Sequence, residues 1–198
     1  MSQVQFVELS LAGTRREIGR AHGAAVADYL RAEVEGAAIA RGSDPPLEDA
    51  WALLTRRFPG LADELVGLSE GAGLDLWQVV RYNGLCPGGG CTNVLVPGGP
   101  DGPLLAMNKD VAPQNRLFTI ELRRPQGEPA AVRYGHAGRL FGYGLNERGL
   151  CVAGTAADAS PELMRAAGPG LRLGLLGPII LSECATVSEA LRLIEAFP

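Results

Sequence analysis

The chain has 198 residues, of which 46% are hydrophobic, enough for one domain with a substantial apolar core. Its formal net charge is −4 and its cationic residues are scattered, so it lacks the basic footprint of a nucleic-acid-binding protein. The N-terminus has no basic segment followed by an apolar run, and the most apolar later stretch, residues 173–181, is too short to span a bilayer. We therefore expect a cytoplasmic protein with no nucleic-acid or membrane partner.

The first part of the chain carries helical signals. Thr14 and Glu17 form a Thr-x-x-Glu capping box with apolar residues at helical spacing behind it, which predicts the start of the first long helix. Proline-containing breaks then separate further amphipathic stretches, so residues 14 to 85 are predicted to be mostly helical. We interpret residues 1–90 as a helical N-terminal segment.

The second part, residues 91–198, begins where the hydrophobic period changes. CTNVLV and PLLAMN flank the turn-rich PGGPDG and predict a β-hairpin that starts at Cys91. RLFTIEL, AAVRY and LCVAG predict further antiparallel strands, and in the first of these Phe118, Ile120 and Leu122 share one face. LGLLGPIILSE and ALRLIEAF predict a closing pair of helices. The predicted fold class is therefore α+β.

Cys91 stands at the junction of the two parts, directly behind Gly88, Gly89 and Gly90. Glycines leave the backbone before the thiol free to adopt strained conformations and leave the peptide carbonyl unshielded. Attack of the Cys91 thiol on the Gly90 carbonyl would give a thioester, and hydrolysis would release Cys91 with a free α-amine. Such an amine has a pKa of about 7.7 to 8.0 and can take the proton of its own thiol, whose reference pKa is about 8.5. Spacing alone also fits a buried structural cysteine after a flexible loop.

The remaining cysteines and histidines give weaker signals. The cysteines are spaced too irregularly for a CxxC metal or redox site, and a disulfide framework is not expected in a reducing compartment. His22 lies in a predicted helix and His136 in a strand-to-turn segment, and neither is obviously paired with Cys91. We interpret the other three cysteines as packing residues: Cys86, Cys151 and Cys184.

Five segments of the chain follow one another in an order that resembles a known family. They are GTRREIGRAHGAA (13–25), FPGLADELVGLSEGAGLDLWQVVRYN (58–83), GCTNVLV (90–96), LLAMNKD (104–110) and HAGRLFGYGLNERGLCV (136–152). Together they resemble the acyl-coenzyme A:6-aminopenicillanic acid acyltransferase family, N-terminal-nucleophile cysteine hydrolases related to the choloylglycine hydrolases. The resemblance covers nearly the whole chain, and it implies an αββα sandwich with the nucleophile at the start of a central strand.

The resemblance also implies roles for individual residues. Cys91 matches the nucleophile, and Gly90 with Cys91 matches the site of self-cleavage. Asp110 matches the aspartate that orients the freed amine and thiol, since a nearby carboxylate favours the charged amine, and Asn108 matches an asparagine that shapes the same pocket. The implied activity is an amidohydrolase or acyltransferase that acts on a small-molecule amide or acyl thioester through an acyl-enzyme, with no cofactor or metal.

Other matched positions are interpreted as structural. Gly19 and Gly23 in the opening motif predict close helix packing, with His22 filling the interface. Asn146 and Gly149 predict a tight turn.

Three departures from the family's pattern bear on the activity. Met107 replaces an arginine of the choloylglycine hydrolases, which argues against bile-salt chemistry. Ala156 falls near the position of their oxyanion-hole asparagine, so that donor is absent or replaced by backbone amides. The family also continues past the last helix of this chain, through further strands of the second sheet. Without those strands a sandwich would have an open edge and an uncovered apolar face.

Two rival hypotheses remain beside the enzymatic one. The first is a short, non-catalytic family member that serves as a binding or assembly subunit and completes its sheet with a second copy or a complementing chain. The second is a thiol protease with a Cys-His pair that uses His136, although the sequence offers no clear residue to orient that histidine.

Overall fold

A computed structural model describes residues 4–43, 45–84, 91–100, 102–109, 117–140, 142–155 and 173–196. In these ranges the chain has a mixed α+β fold. The helices are α1 (Arg15–Ala25), α2 (Ala27–Gly36), α3 (Pro45–Arg57), α4 (Pro59–Ala72), α5 (Leu76–Gly84), α6 (Leu173–Glu183) and α7 (Val187–Glu195). The strands are β1 (Gln5–Gly13), β2 (Cys91–Val96), β3 (Leu104–Lys109), β4 (Leu117–Pro125), β5 (Ala131–His136), β6 (Gly142–Asn146) and β7 (Cys151–Val152).

The strands form two sheets. Five of them lie in the order β1-β4-β5-β6-β7, in which β1 is parallel to β4 and the other neighbours are antiparallel. β2 and β3 pair with each other, so the predicted hairpin is confirmed, with Cys91 opposite Lys109. The sequence patterns do not predict β1 or β6. β6 contains Gly142 and Gly144, and glycine is depleted in strands; a Cβ on Gly144 would lie 2.1 Å from the Val132 carbonyl oxygen, so the strand requires glycine there.

Helix α1 begins at the predicted capping box. The Glu17 amide donates to Thr14 Oγ1 over 3.3 Å, and the Thr14 amide donates to Glu17 Oε2 over 2.8 Å. The helix then packs closely on α4, because a Cβ on Gly19 would lie 2.1 Å from the Glu64 carbonyl oxygen and one on Gly23 would lie 2.3 Å from that of Leu68. The predicted packing role of these two glycines is confirmed.

The main apolar core lies among the helices and against the turn that follows β5. Its completely buried members come from α2, α4, α5, α6 and this turn: Leu30, Leu68, Ala72, Val79, Ala137, Leu140 and Ile179. None of the helices in the described ranges is both long and apolar enough to cross a membrane.

The buried face of the five-stranded sheet is not the face that the alternation of apolar residues in β4 would predict. Ile120 shares one face of β4 with Phe118 and Leu122, as predicted, but this face points away from the helices. The face that packs on α1 and α4 carries Glu121 and Arg123 instead, and both are almost completely buried. Burial of this charged face is possible because each charged group has an oppositely charged partner.

Candidate functional site

Cys91 is the first residue of β2 and lies at the end of the hairpin opposite its turn. Its thiol is free and half-buried. Gly90, the other residue of the implied cleavage site, lies outside the described residues, as does Asp110. The structure therefore places the implied nucleophile at the start of a strand and gives no placement for its implied partners on either side.

Asn108 lies in the partner strand of the hairpin, directly opposite Thr92 and next to the pair formed by Cys91 and Lys109. Side chains alternate between the two faces of a strand, and directly opposed residues share a face. The Asn108 side chain is therefore on the face of the hairpin opposite to that of Cys91, and it is exposed. Met107, which the sequence resemblance aligns with an arginine of the choloylglycine hydrolases, shares the face of Cys91.

Sequence reasoning did not indicate Tyr134 in β5, whose pKa is affected by Cys91. Burial raises the pKa of Tyr134, and the interaction with Cys91 raises it further. The Tyr134 ring stacks on Phe118, with centroids 5.3 Å apart and planes at 9°. The centroid of the Phe6 ring lies 6.4 Å from that of the Tyr134 ring. These rings lie on the sheet face that points away from the helices.

The two histidines lie on opposite faces of this sheet. His136 is opposite Phe118 in the register, and their ring centroids are 4.5 Å apart. Its proposed pairing with Cys91 stays a prediction. His22 is completely buried under the other face, where its Nε2 accepts a hydrogen bond of 3.1 Å from the Gly138 amide and its Nδ1 lies 3.7 Å from Glu121 Oε1. Burial lowers the pKa of His22, and the side chain fills an interface, as predicted, but this interface is the one between α1 and the sheet and not the one between helices.

Next to His22 lies a buried charge cluster, which we define as Arg15, Glu64, Glu121, Arg123 and Arg133. Arg15 Nη1 donates to Glu64 Oε2 over 2.7 Å, and Arg123 also donates to Glu64. Arg123 and Arg133 both donate to Glu121 Oε2, over 2.7 and 2.8 Å.

Electrostatics keep these carboxylates charged. Burial by itself would raise the pKa of Glu64, but the charges of Arg123, Arg133 and Arg15 lower it to about 2. The pKa of Glu121 is lowered as well, against burial, by Arg133 and its other charged neighbours. Because the cluster lies on the helix side of the sheet and each member has an oppositely charged partner there, we assign the cluster to packing and not to the site.

The remaining cysteines and Ala156 are in part placed by the structure. Cys184 is buried beside Leu150 and Ile180, as predicted. The prediction that Cys151 is a packing residue of the core is wrong, because its thiol is exposed in the short edge strand β7. Cys86 and Ala156 lie outside the described residues. Within the described ranges, no group of three or more His, Cys, Asp or Glu side chains is placed to hold a metal ion.

No family model matches the chain, and no curated protein matches it either. The resemblance to the acyltransferase family accordingly rests on the five sequence segments and their order.

Proposed function

We propose that the chain is a self-processing cysteine N-terminal-nucleophile amidohydrolase or acyltransferase in which Cys91 is the nucleophile. The observation that carries the proposal is the position of Cys91 at the first residue of an antiparallel hairpin strand, immediately after three glycines. Cleavage before a residue in this position would give a new N-terminus at the start of a hydrogen-bonded strand. The base and the nucleophile would then be held by the same fixed residue.

The αββα sandwich is part of the same proposal. The five-stranded sheet has helices on one face, whereas its other face exposes apolar side chains by 36 to 55%: Phe6, Ile120, Leu122, Val132 and Leu145. A second sheet packed on this face would cover them, and the β2–β3 hairpin, itself apolar and exposed at Val94 and Leu95, would belong to that sheet.

The proposed turnover has two halves. The α-amine of Cys91 takes the thiol proton, the thiolate attacks the carbonyl carbon of an amide or thioester, and the leaving amine or thiol departs with that proton. The acyl-enzyme is then attacked by water or an acceptor amine, whose proton passes to the α-amine. Asp110, by the family resemblance, orients that amine.

Replacement of the nucleophile tests the proposal. We expect Cys91→Ala to abolish both self-cleavage and turnover in a screen of amide and acyl-thioester substrates, because no other residue of the mechanism can form the thioester. Cys151→Ala is the matched control, since it removes an exposed thiol at the sheet edge, and it should leave both activities unchanged. Full activity in Cys91→Ala would refute the proposal.

The exposed apolar face favours a second candidate function, a non-catalytic binding or assembly subunit. Five partly exposed apolar side chains on one sheet face are typical of a surface that another chain covers. On this hypothesis the protein sediments as an oligomer and Cys91→Ala behaves as the wild type. A stable monomer in sedimentation equilibrium, at micromolar concentration, would count against it.

A further inference from the structure

A small cleft lies between the helix-covered face of the five-stranded sheet and helix α6. The buried charge cluster contributes Arg15, Arg123 and Arg133 to its lining, and α6 contributes Leu181 and Ser182. The cleft is partly open to solvent and leaves about 20 Å³ for the centre of a water-sized group. A single buried water needs about 10 to 15 Å³ by this measure. The cleft is therefore large enough for one small molecule or ion.

Two of the arginines that line the cleft have more N–H groups than their partners use. Arg123 donates to Glu121 through Nη1 and to Glu64 through Nη2. Arg133 donates to the Leu140 carbonyl through Nη1 and to Glu121 through Nη2. A guanidinium has five N–H donors and no acceptor. Among the described residues these bonds engage two of the five N–H groups on each arginine, which leaves donors for an acceptor in the cleft.

The charge at the cleft favours an anion over a neutral or cationic occupant. The buried charge cluster combines three arginines with two glutamates, which gives it a formal charge of +1. Two further carboxylates lie nearer to solvent, where water and salt screen their charge: Glu128, with a side chain 28% exposed, and the exposed Glu183. Burial lowers the pKa of Arg133 and the charge of Arg123 lowers it further, so an anion beside Arg133 would stabilise its charged form.

We propose that this cleft binds one small monovalent anion of about the size of chloride. The anion accepts N–H groups of Arg123 and Arg133 and lies against Ser182, so it joins α6 to the neighbouring strands β4 and β5. The Ser182 hydroxyl already donates to the Pro178 and Ile179 carbonyls, over 3.0 and 3.1 Å, and therefore serves as a wall of the site. This binding site goes beyond the proposed function and does not depend on it.

Thermal unfolding in chloride tests the proposal. Sodium gluconate, whose anion is too large for the cleft, keeps the ionic strength constant as sodium chloride is varied. A ligand that binds only the folded chain stabilises it by mass action, so we expect the wild-type Tm to rise by about 2 to 4 °C between zero and about 200 mM chloride.

A larger side chain from α6 blocks the cleft without changing its charge. Ser182→Met should fill the space and reduce the chloride-dependent rise in Tm to less than about 1 °C. Ser188→Met is the matched control, because Ser188 is an exposed residue of α7 that does not line the cleft. This variant should keep the full wild-type response to chloride.

Removal of a carboxylate tests the role of charge. Glu128 accepts from Arg15 Nε over 2.8 Å and so lowers the positive charge that an anion in the cleft would meet. We expect Glu128→Gln to lower the chloride concentration for half of the effect by about two- to fivefold. Glu70→Gln is the control, since Glu70 pairs with Arg16 and Arg20 outside the cleft, and it should leave that concentration unchanged.

Two results would overturn the proposal. A wild-type Tm that does not respond to chloride would mean that the cleft holds water only. An equal response in the wild type and in Ser182→Met would place the anion effect elsewhere on the protein. Neither result bears on the proposed nucleophile, because these variants leave Cys91 and its hairpin unchanged.

Discussion

Gly19 and Gly23 of α1 face α4, and Gly67 and Gly71 of α4 face α1. A Cβ on Gly67 or Gly71 would lie 2.1 Å from a carbonyl oxygen of α1, as one on Gly19 would from the Glu64 carbonyl oxygen. Real Cβ atoms do not approach a backbone oxygen so closely, so each of these positions sets the distance between the two helices. Because each of these four residues has only a hydrogen atom as its side chain, α1 can lie close against α4. This close packing brings Arg15 within reach of Glu64.

A substitution that adds a single methyl group between α1 and α4 tests this packing. We expect Gly19→Ala to lower the free energy of unfolding by about 1 to 3 kcal/mol or more, because the helices have to separate to admit it. Gly36→Ala, in α2 where a Cβ would meet nothing within 4 Å, is the control, and it should be neutral or stabilise by up to about 1 kcal/mol. Urea denaturation measures both variants; equal stability of the two would show that the close contact does not limit the packing.

At the scale of elements, the buried charge cluster joins α1, α4, β4 and β5. Arg15 comes from α1, Glu64 from α4, Glu121 and Arg123 from β4 and Arg133 from β5. Removing one member of a buried ion pair is costly because its partner keeps an uncompensated charge away from water. The cluster therefore fixes which strands lie under which helices more specifically than apolar contacts would.

Glu64 is the member whose loss is most informative. Glu64→Gln should lower the free energy of unfolding by about 3 to 5 kcal/mol, because Arg123 and Arg15 lose their shared carboxylate. Glu70→Gln is the control, since the Glu70 carboxylate is partly exposed between Arg16 and Arg20 and its loss should matter little.

The pH dependence of the free energy of unfolding gives an independent measure of the contribution of Glu64. The pKa of Glu64 is about 2 in the folded chain, against 4.5 as its ordinary value, so its contribution is complete above about pH 4.5 and is lost as the pH falls toward 2. The wild type should lose more stability over this interval than Glu64→Gln, as measured by urea midpoints at each pH. Parallel curves for the two proteins would contradict the role given to Glu64.

At the scale of the whole molecule, the sequence predicts those structural features that depend on residues close to one another in the chain. The Thr14 cap, the glycine packing of α1, the hairpin and the helices on either side of Pro59 depend on local patterns, and the structure confirms them. The parallel pairing of β1 with β4 joins residues more than a hundred positions apart, beyond the reach of local alternation. The same holds for the cluster, in which Glu64 meets a partner 59 positions away.

The same distinction between local and long-range features applies to the candidate site. Cys91 and the glycines before it are visible in the sequence, because a thiol at the first position of a strand is a local feature. The effect of Cys91 on the pKa of Tyr134 in β5 joins residues far apart in the chain, which local patterns do not indicate. Apolar alternation also could not indicate which face of β4 meets the helices, since the buried face is the charged one.

The intact mass of the freshly purified chain, with N-terminal sequencing of any fragment, tests the central claim most directly. Self-cleavage predicts two fragments in place of the 20.8 kDa chain, the larger beginning with Cys91, Thr92 and Asn93, and their absence in Cys91→Ala. A single 20.8 kDa species in the wild type would contradict it, because Cys91 would then keep its peptide bond and have no free amine to serve as the base.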